Sequence, residues 1–142
     1  MPISEAHVGR SYPATAPYEV TAVKVAEFAA ALKDADNPAY AGDRAVAPPT
    51  FAVVLAAATW DALFGDPELE LSLSRTVHAD QRFTWTRQLQ VGDVVEAQLV
   101  IDKVRLRGPA AFITISVQLS TTAGEPVCVA TSTLVHTAEV AA

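Results

Sequence analysis

Three scarcities narrow what this chain can be. One cysteine in 142 residues, Cys128, cannot form an internal disulfide, which excludes a disulfide-stapled extracellular scaffold and fits a reducing cytoplasm. It sits in the apolar run Pro126-Val127-Cys128-Val129-Ala130 and reads as a buried small hydrophobe rather than a reactive thiol. No apolar run reaches the roughly 18–20 residues that cross a bilayer, so membrane insertion is not expected. The longest, Phe51 to Thr59, is soon followed by Asp61. The N-terminus, Met1 to His7, lacks a basic start and an apolar core, so no secretory signal is expected and the location reads as cytoplasmic. The third scarcity is clustered basic charge. Ten Lys and Arg are scattered among sixteen Asp and Glu, for a net charge of −6, which argues against a nucleic-acid partner. His7 and His136 lie near the ends without an acidic or cysteine cluster, so neither a metal nor a cofactor is expected.

What is present is a core. Hydrophobic residues make up 51% of the chain, which excludes disorder and suits one domain spanning residues 1–142. Residues 1–17, with Gly9, Pro13 and Pro17, read as an irregular arm. Tyr18 to Thr21 alternates as a short strand. Thr21 can cap a helix whose apolar stripe is Val23, Val25, Ala26, Phe28, Ala29 and Leu32, running to about Lys33. The turn Asp34-Ala35-Asp36-Asn37-Pro38 then breaks it. A loop over 41–47 ends in Pro48-Pro49, and a proline in a first turn suits a helix from Thr50 to Phe64. Phe51, Val54, Leu55, Ala58 and Leu63 recur on it, and small residues fill its other sides, as in a buried helix.

After Gly65-Asp66-Pro67 the period changes from helical to alternating. Extended segments are expected over 71–90, Val94–Arg105, Ala111–Ser120 and Val127–Thr137, with a frayed tail over 138–142. Gly92-Asp93, Gly108-Pro109 and Ala123-Gly124-Glu125 supply the turns. A buried helix followed by long antiparallel strands gives an α+β class, an antiparallel sheet wrapped around one long helix.

Several stretches together resemble the MaoC-like dehydratase N-terminal type of hot-dog protein. They are Val8-Gly9-Arg10-Ser11-Tyr12-Pro13, Pro17-Tyr18-Glu19-Val20, Asn37-Pro38-Ala39-Tyr40, Ala47-Pro48-Pro49-Thr50-Phe51, Val77 to Phe83, and Val91-Gly92-Asp93. The chain is similar to the non-catalytic subunit of bacterial (3R)-hydroxyacyl-carrier-protein dehydratases. That resemblance implies a hot-dog domain joined edge to edge with a second one, either a different polypeptide or another copy. It also implies an acyl-CoA or acyl-carrier-protein substrate in a tunnel at the pair's interface.

One departure from the pattern bears on the chemistry. Catalytic relatives carry Gly-Asp-x-Asn-Pro-x-His, and registering that motif on Asn37-Pro38 puts the Asp on Ala35 and the His on Tyr40. Dehydration of a 3-hydroxyacyl thioester needs a base for the C2 proton and an acid for the leaving hydroxyl, which a neutral imidazole and a carboxylate provide. The thioester carbonyl needs donors such as backbone N–H groups at a helix start. Tyrosine, with an ordinary pKa near 10, is a poor base at neutral pH but a competent hydrogen-bond donor.

Candidates for the chemistry are therefore Asp34 and Asp36, one residue to either side of Ala35, and His78. Each has a plainer reading, the carboxylates as polar turn residues and His78 as a structural histidine of a half-buried strand. Candidates for substrate contact are Asn37, Tyr40, Pro49, Thr50, Phe51 and Gln81. The function this pattern implies is a substrate-binding, non-catalytic subunit of an (R)-specific 3-hydroxyacyl-thioester dehydratase or enoyl hydratase. Two alternatives stay open: a stand-alone hydratase or thioesterase, and a homodimeric acyl-thioester-binding protein without turnover.

Overall fold

The computed structural model describes residues 2–139, so the end of the expected tail, Val140 to Ala142, lies outside the described residues. The elements are β1 (Tyr18–Glu19), α1 (Ala22–Ala31), α2 (Ala52–Ala57), α3 (Trp60–Phe64), β2 (Thr76–Trp85), β3 (Val94–Arg107), β4 (Ala110–Thr121) and β5 (Pro126–Thr137). The strands form one antiparallel sheet in the order β1-β3-β4-β5-β2.

Alternation in the sequence decides which face is buried. Val95, Ala97, Leu99 and Ile101 of β3 point inward with Ile113, Ile115, Val117 and Leu119 of β4, all at 2% exposure or less. A register shift between Ile101 and Lys103 then moves the inward position on β3 to Val104. On β5 the inward row is Ala130, Ser132, Leu134 and His136. Against this face lie Ala52, Leu55 and Ala56 of α2 and Leu63 of α3, and the alanines let the helix backbone approach the sheet closely.

The helix expected over 50–64 is present in pieces: a 3-10 turn over Pro49–Phe51, then α2, then α3. Thr59 explains the interruption. Its buried hydroxyl donates to the Ala56 carbonyl at 2.6 Å, and its N–H donates to the same oxygen at 3.1 Å, closing a tighter i−3 turn. A hydroxyl bonding back onto the preceding turn competes with the regular ladder.

The two sheet edges are treated differently. The arm before β1, irregular as expected, lies along the free side of β3, with Gly9, Tyr12 and Thr15 donating N–H to the carbonyls of Ile101, Leu99 and Ala97. Gly9 makes that path with φ +89, where a side chain would be strained. Arg10 and Tyr12 fasten the arm to the segment after α3, both reaching Asp66, at 2.9 and 2.7 Å, while Arg10 also meets Glu68. The Tyr12 hydrogen bond, followed by Arg10, holds the Asp66 carboxyl below its ordinary pKa. The opposite edge, β2, is paired with β5 on one side, and among the described residues nothing pairs with the other.

The start of β2 rests on a buried histidine. His136, 5% exposed, accepts the Ser72 N–H through Nε2 at 3.1 Å, which fixes the neutral tautomer with the proton on Nδ1. Burial first, and the Arg75 guanidinium second, hold its pKa below the ordinary value. The unfolded chain therefore binds more protons than the folded one below about pH 6.5, and stability falls as the pH drops through that value. We expect the urea midpoint to decline on acidification through this window, and the His136→Gln variant to decline less steeply. Equal slopes for the two proteins would contradict that assignment. Cys128 is buried as expected, and burial pushes its thiol up to about 11, so it stays protonated.

Candidate functional site

The turn after α1 is built from its own polar groups. Asn37 caps the 3-10 turn Pro38–Tyr40, with Oδ1 accepting the Ala39 N–H at 3.0 Å. Its Nδ2 donates to Asp34 Oδ2 at 3.1 Å. Both polar ends of Asn37 are thus engaged, and Asp34 serves as its partner at the end of the helix. Asp36 is exposed, and Tyr40 is half-buried and packs against the core. The Val46 N–H donates to the Ala39 carbonyl at 2.9 Å, which ties the turn to the strand-like segment leading into Pro48.

His78 lies elsewhere, on the open strand β2. Its ring meets Trp60 edge-on with centroids 5.1 Å apart, and Nε2 is 3.0 Å from Gln81 Oε1. That oxygen also accepts the Ser132 hydroxyl at 2.6 Å, so Nε2 must be the donor and His78 carries its proton there. Nδ1 is left as the acceptor, on an exposed residue. Gln81, proposed as a substrate contact, is committed to Ser132, His78 and, through Nε2, the Arg82 carbonyl. Register explains the grouping: His78, Gln81, Phe83 and Trp85 sit opposite Leu134, Ser132, Ala130 and Cys128, so all four face the helix side of the sheet.

The structure does not bring the candidate carboxylates to the candidate base. Asp34 and Asp36 make no hydrogen bond or ion pair with His78. Pro49 and Thr50 stand exposed at the entry to α2, where the 3-10 turn carries no side-chain cap. Phe51 is 2% exposed and contacts Phe28 edge-on at 5.3 Å and Tyr18 at 6.4 Å. Among the described residues no group of three or more His, Cys, Asp or Glu is placed to hold a metal. His7 is used within its own turn, where Nδ1 accepts the Ser4 N–H.

Sequence reasoning missed a groove. A cavity of about 460 Å³ opens between α1 and α2, lined by Tyr18, Lys24, Glu27, Phe28, Ala31, Phe51 and Val54. The helical spacing of Lys24, Phe28 and Ala31 was visible, but Phe28 reads as core in an apolar stripe. Of that stripe only Val25 and Ala29 are buried, and Val23 and Leu32 are 65% and 50% exposed. A second cavity, of about 480 Å³, lies at the other end of the sheet beside Ile3, Leu106, Pro109 and His136.

A five-stranded antiparallel sheet curled over a segmented central helix is a hot-dog fold of the MaoC-like dehydratase type. The chain belongs to the FAS1-like, dehydratase domain region family, whose model matches residues 6–130. Its relatives include UPF0336 proteins of Cutibacterium acnes, 53% identical over 96% of both chains, and of Saccharopolyspora erythraea, 40% identical over 95% of this chain and 92% of the other. Among solved structures it is similar to the C-terminally truncated HadBC (3R-hydroxyacyl-ACP dehydratase) complex from Mycobacterium tuberculosis. There the identity is 28% and the TM-score 0.78, over 91% of this chain and 96% of that one. The R-hydratase PhaJ1 from Pseudomonas aeruginosa, at 17% identity and TM-score 0.70 over 93% and 83% of the two chains, shares the fold.

Proposed function

We propose that this chain is the substrate-binding, non-catalytic subunit of an (R)-specific 3-hydroxyacyl-thioester dehydratase, and that a second hot-dog chain supplies the reacting Asp and His. The observation that carries this is the turn over residues 34–40. It keeps the Asn37 cap and the proline, but has Ala35 and Tyr40 where the acid–base pair belongs. Asp34 is engaged with Asn37, and no imidazole contacts Asp36. Proton transfer requires a group within hydrogen-bond reach of the substrate proton, and this turn has a tyrosine, Tyr40, where the imidazole belongs.

The partner is favoured by the asymmetry of the sheet. The arm covers the β3 edge, whereas the outer edge of the ten-residue β2 has no strand paired with it among the described residues, and Val77 on it and Leu73 just before it are 64% and 60% exposed. An uncovered strand of this length invites pairing with another sheet. The relation to a HadBC dehydratase complex supports a hot-dog partner of this kind. The stand-alone reading, with Asp36 and His78 as acid and base, has no contact between the two residues to support it.

The test is hydration of a 2-enoyl thioester by the pure chain, by a candidate catalytic hot-dog chain, and by both after co-expression. Asp36→Asn and His78→Gln in this chain should each leave the rate of the mixture within about twofold, because general acid–base groups contribute on the order of a hundredfold or more. Loss of activity with either variant, in a protein that still assembles, would return the chemistry to this chain.

A further inference from the structure

We infer that the cavity beside His136 is a ligand site of its own, built for a compact neutral molecule that presents one acceptor oxygen on an apolar body to the imidazole. The two nitrogens of that ring are differently employed. Nε2 accepts the Ser72 N–H at 3.1 Å, so the proton sits on Nδ1, which can only donate. Among the described residues Nδ1 meets no acceptor, although His136 is only 5% exposed and every fully enclosed side-chain nitrogen or oxygen has a partner. Nδ1 is therefore not sealed into the core. The space left to it is the cavity of about 480 Å³ that His136 lines. A donor on a buried ring without a protein acceptor is costly to leave unmade, and an oxygen placed in the cavity satisfies it.

The rest of the lining selects the ligand. Ile3, Leu69, Leu106, Pro109, Ala110 and Ala111 supply apolar walls. Besides His136, the titratable groups on the described lining are Glu70 and Glu139, both exposed, and it holds no Lys or Arg. Arg75, whose charge reaches the imidazole, donates instead to the carbonyls of Thr137 and Ala138, at 3.0 and 3.3 Å. An anion would meet carboxylates of its own sign, whereas a ketone, ester or ether meets no such repulsion. The wall is also fixed in shape. Glu70 holds a left-handed backbone, φ +51, which a residue with a side chain keeps only where its surroundings enforce it. The Ile3 N–H, donating to the Leu69 carbonyl at 3.0 Å, ties the N-terminal wall to that turn. The site is separate from the chemistry proposed above. The 34–40 turn is joined through Val46 and Ala47 to Leu89 and Gln90, ahead of β3, whereas the cavity lies where β3 and β5 end and β4 begins. Its occupant is therefore a molecule other than the reacting thioester, and the site stands or falls independently of the subunit reading.

Titration of the full chain with acetophenone, benzoate and toluene tests this, followed by the nitrogen-15 NMR signals of the His136 ring and of the backbone amides. Acetophenone, an apolar ring with one carbonyl oxygen, should saturably shift the Nδ1–H signal and the amides of Leu106, Ala110 and Ala111. Toluene displaces water from Nδ1 without replacing its hydrogen bond and should bind about tenfold more weakly. Benzoate, with the same ring but a negative charge, should also be weaker by about tenfold. His136→Phe removes the donor and should bring acetophenone and toluene within about twofold of each other. Leu106→Asp charges a wall residue that is 52% exposed, and should weaken acetophenone by about fivefold or more in a chain that still folds. That variant keeps the test open if His136→Phe does not fold. Acetophenone that shifts none of these signals, or that binds equally to wild type and Leu106→Asp, would overturn the site. Toluene as tight as acetophenone in wild type would overturn the role of Nδ1, and benzoate as tight as acetophenone would overturn the neutral ligand.

Discussion

Phe51→Ala should lower stability by about 3–5 kcal/mol, the cost of removing a buried aromatic ring from a packed core. The position is unusual in joining three structural units. Its ring touches Phe28 of α1 and Tyr18 of β1, while its backbone closes the 3-10 turn that starts the central helix, with its N–H 2.9 Å from the Pro48 carbonyl. Truncation leaves a cavity whose lining cannot collapse without moving α1 or α2. Phe51→Leu keeps most of the volume and should cost less than about 2 kcal/mol. Urea unfolding followed by far-ultraviolet circular dichroism measures both. A Phe51→Ala unfolding free energy within about 1 kcal/mol of wild type would show that the ring is not part of a continuous core.

Placing Asp at both Leu73 and Val77 should weaken assembly with a hot-dog partner by about a hundredfold or more, roughly 3 kcal/mol. Two carboxylates buried against an opposing strand without partners are expensive to desolvate. Neither side chain is packed in the isolated chain, since both are well over half exposed, so its own stability should move by less than about 0.5 kcal/mol. Sedimentation of the mixed chains reads the assembly, and urea unfolding of the lone variant supplies the control. Undiminished assembly would mean that the partner seats somewhere other than the β2 edge.

Much of this architecture was legible in the residues. Period-2 alternation placed the inward faces of β3 and β4, because a strand with one buried face has no other way to arrange Val, Ile and Leu. Pro48-Pro49 marked the helix entry, and Gly65-Asp66-Pro67 its end. Two features of the backbone were not legible. The break at Thr59 depends on its hydroxyl turning back to Ala56, one of two options open to a threonine in a helix. The exposure of α1 could not be read either, since Val23, Phe28 and Leu32 have the same spacing whether they meet a core, a partner or a ligand.

The candidate site shows the same division. Asn37-Pro38 was recognisable as a turn because an Asn side chain capping the residue two positions on is a local, sequence-encoded interaction. That His78 would join Trp60, Gln81 and Ser132 rather than Asp36 depends on pairing between β2 and β5, separated by some fifty residues of chain. The Gln81–Ser132 hydrogen bond was invisible for the same reason, since neither residue's neighbours in sequence point to the other. Tertiary register, not local pattern, decides which polar groups are spoken for.

The measurement that bears most directly on the division of labour is the 2-enoyl-thioester hydration rate of the two chains apart and together. If this chain holds the substrate and its partner carries the Asp and His, the lone chain is inactive. The co-expressed pair should then exceed its better component by on the order of a hundredfold. Substituting the partner's His abolishes that gain, whereas His78→Gln here does not. A mixture no faster than its best component, or a lone chain that hydrates at the rate of the pair, would contradict it.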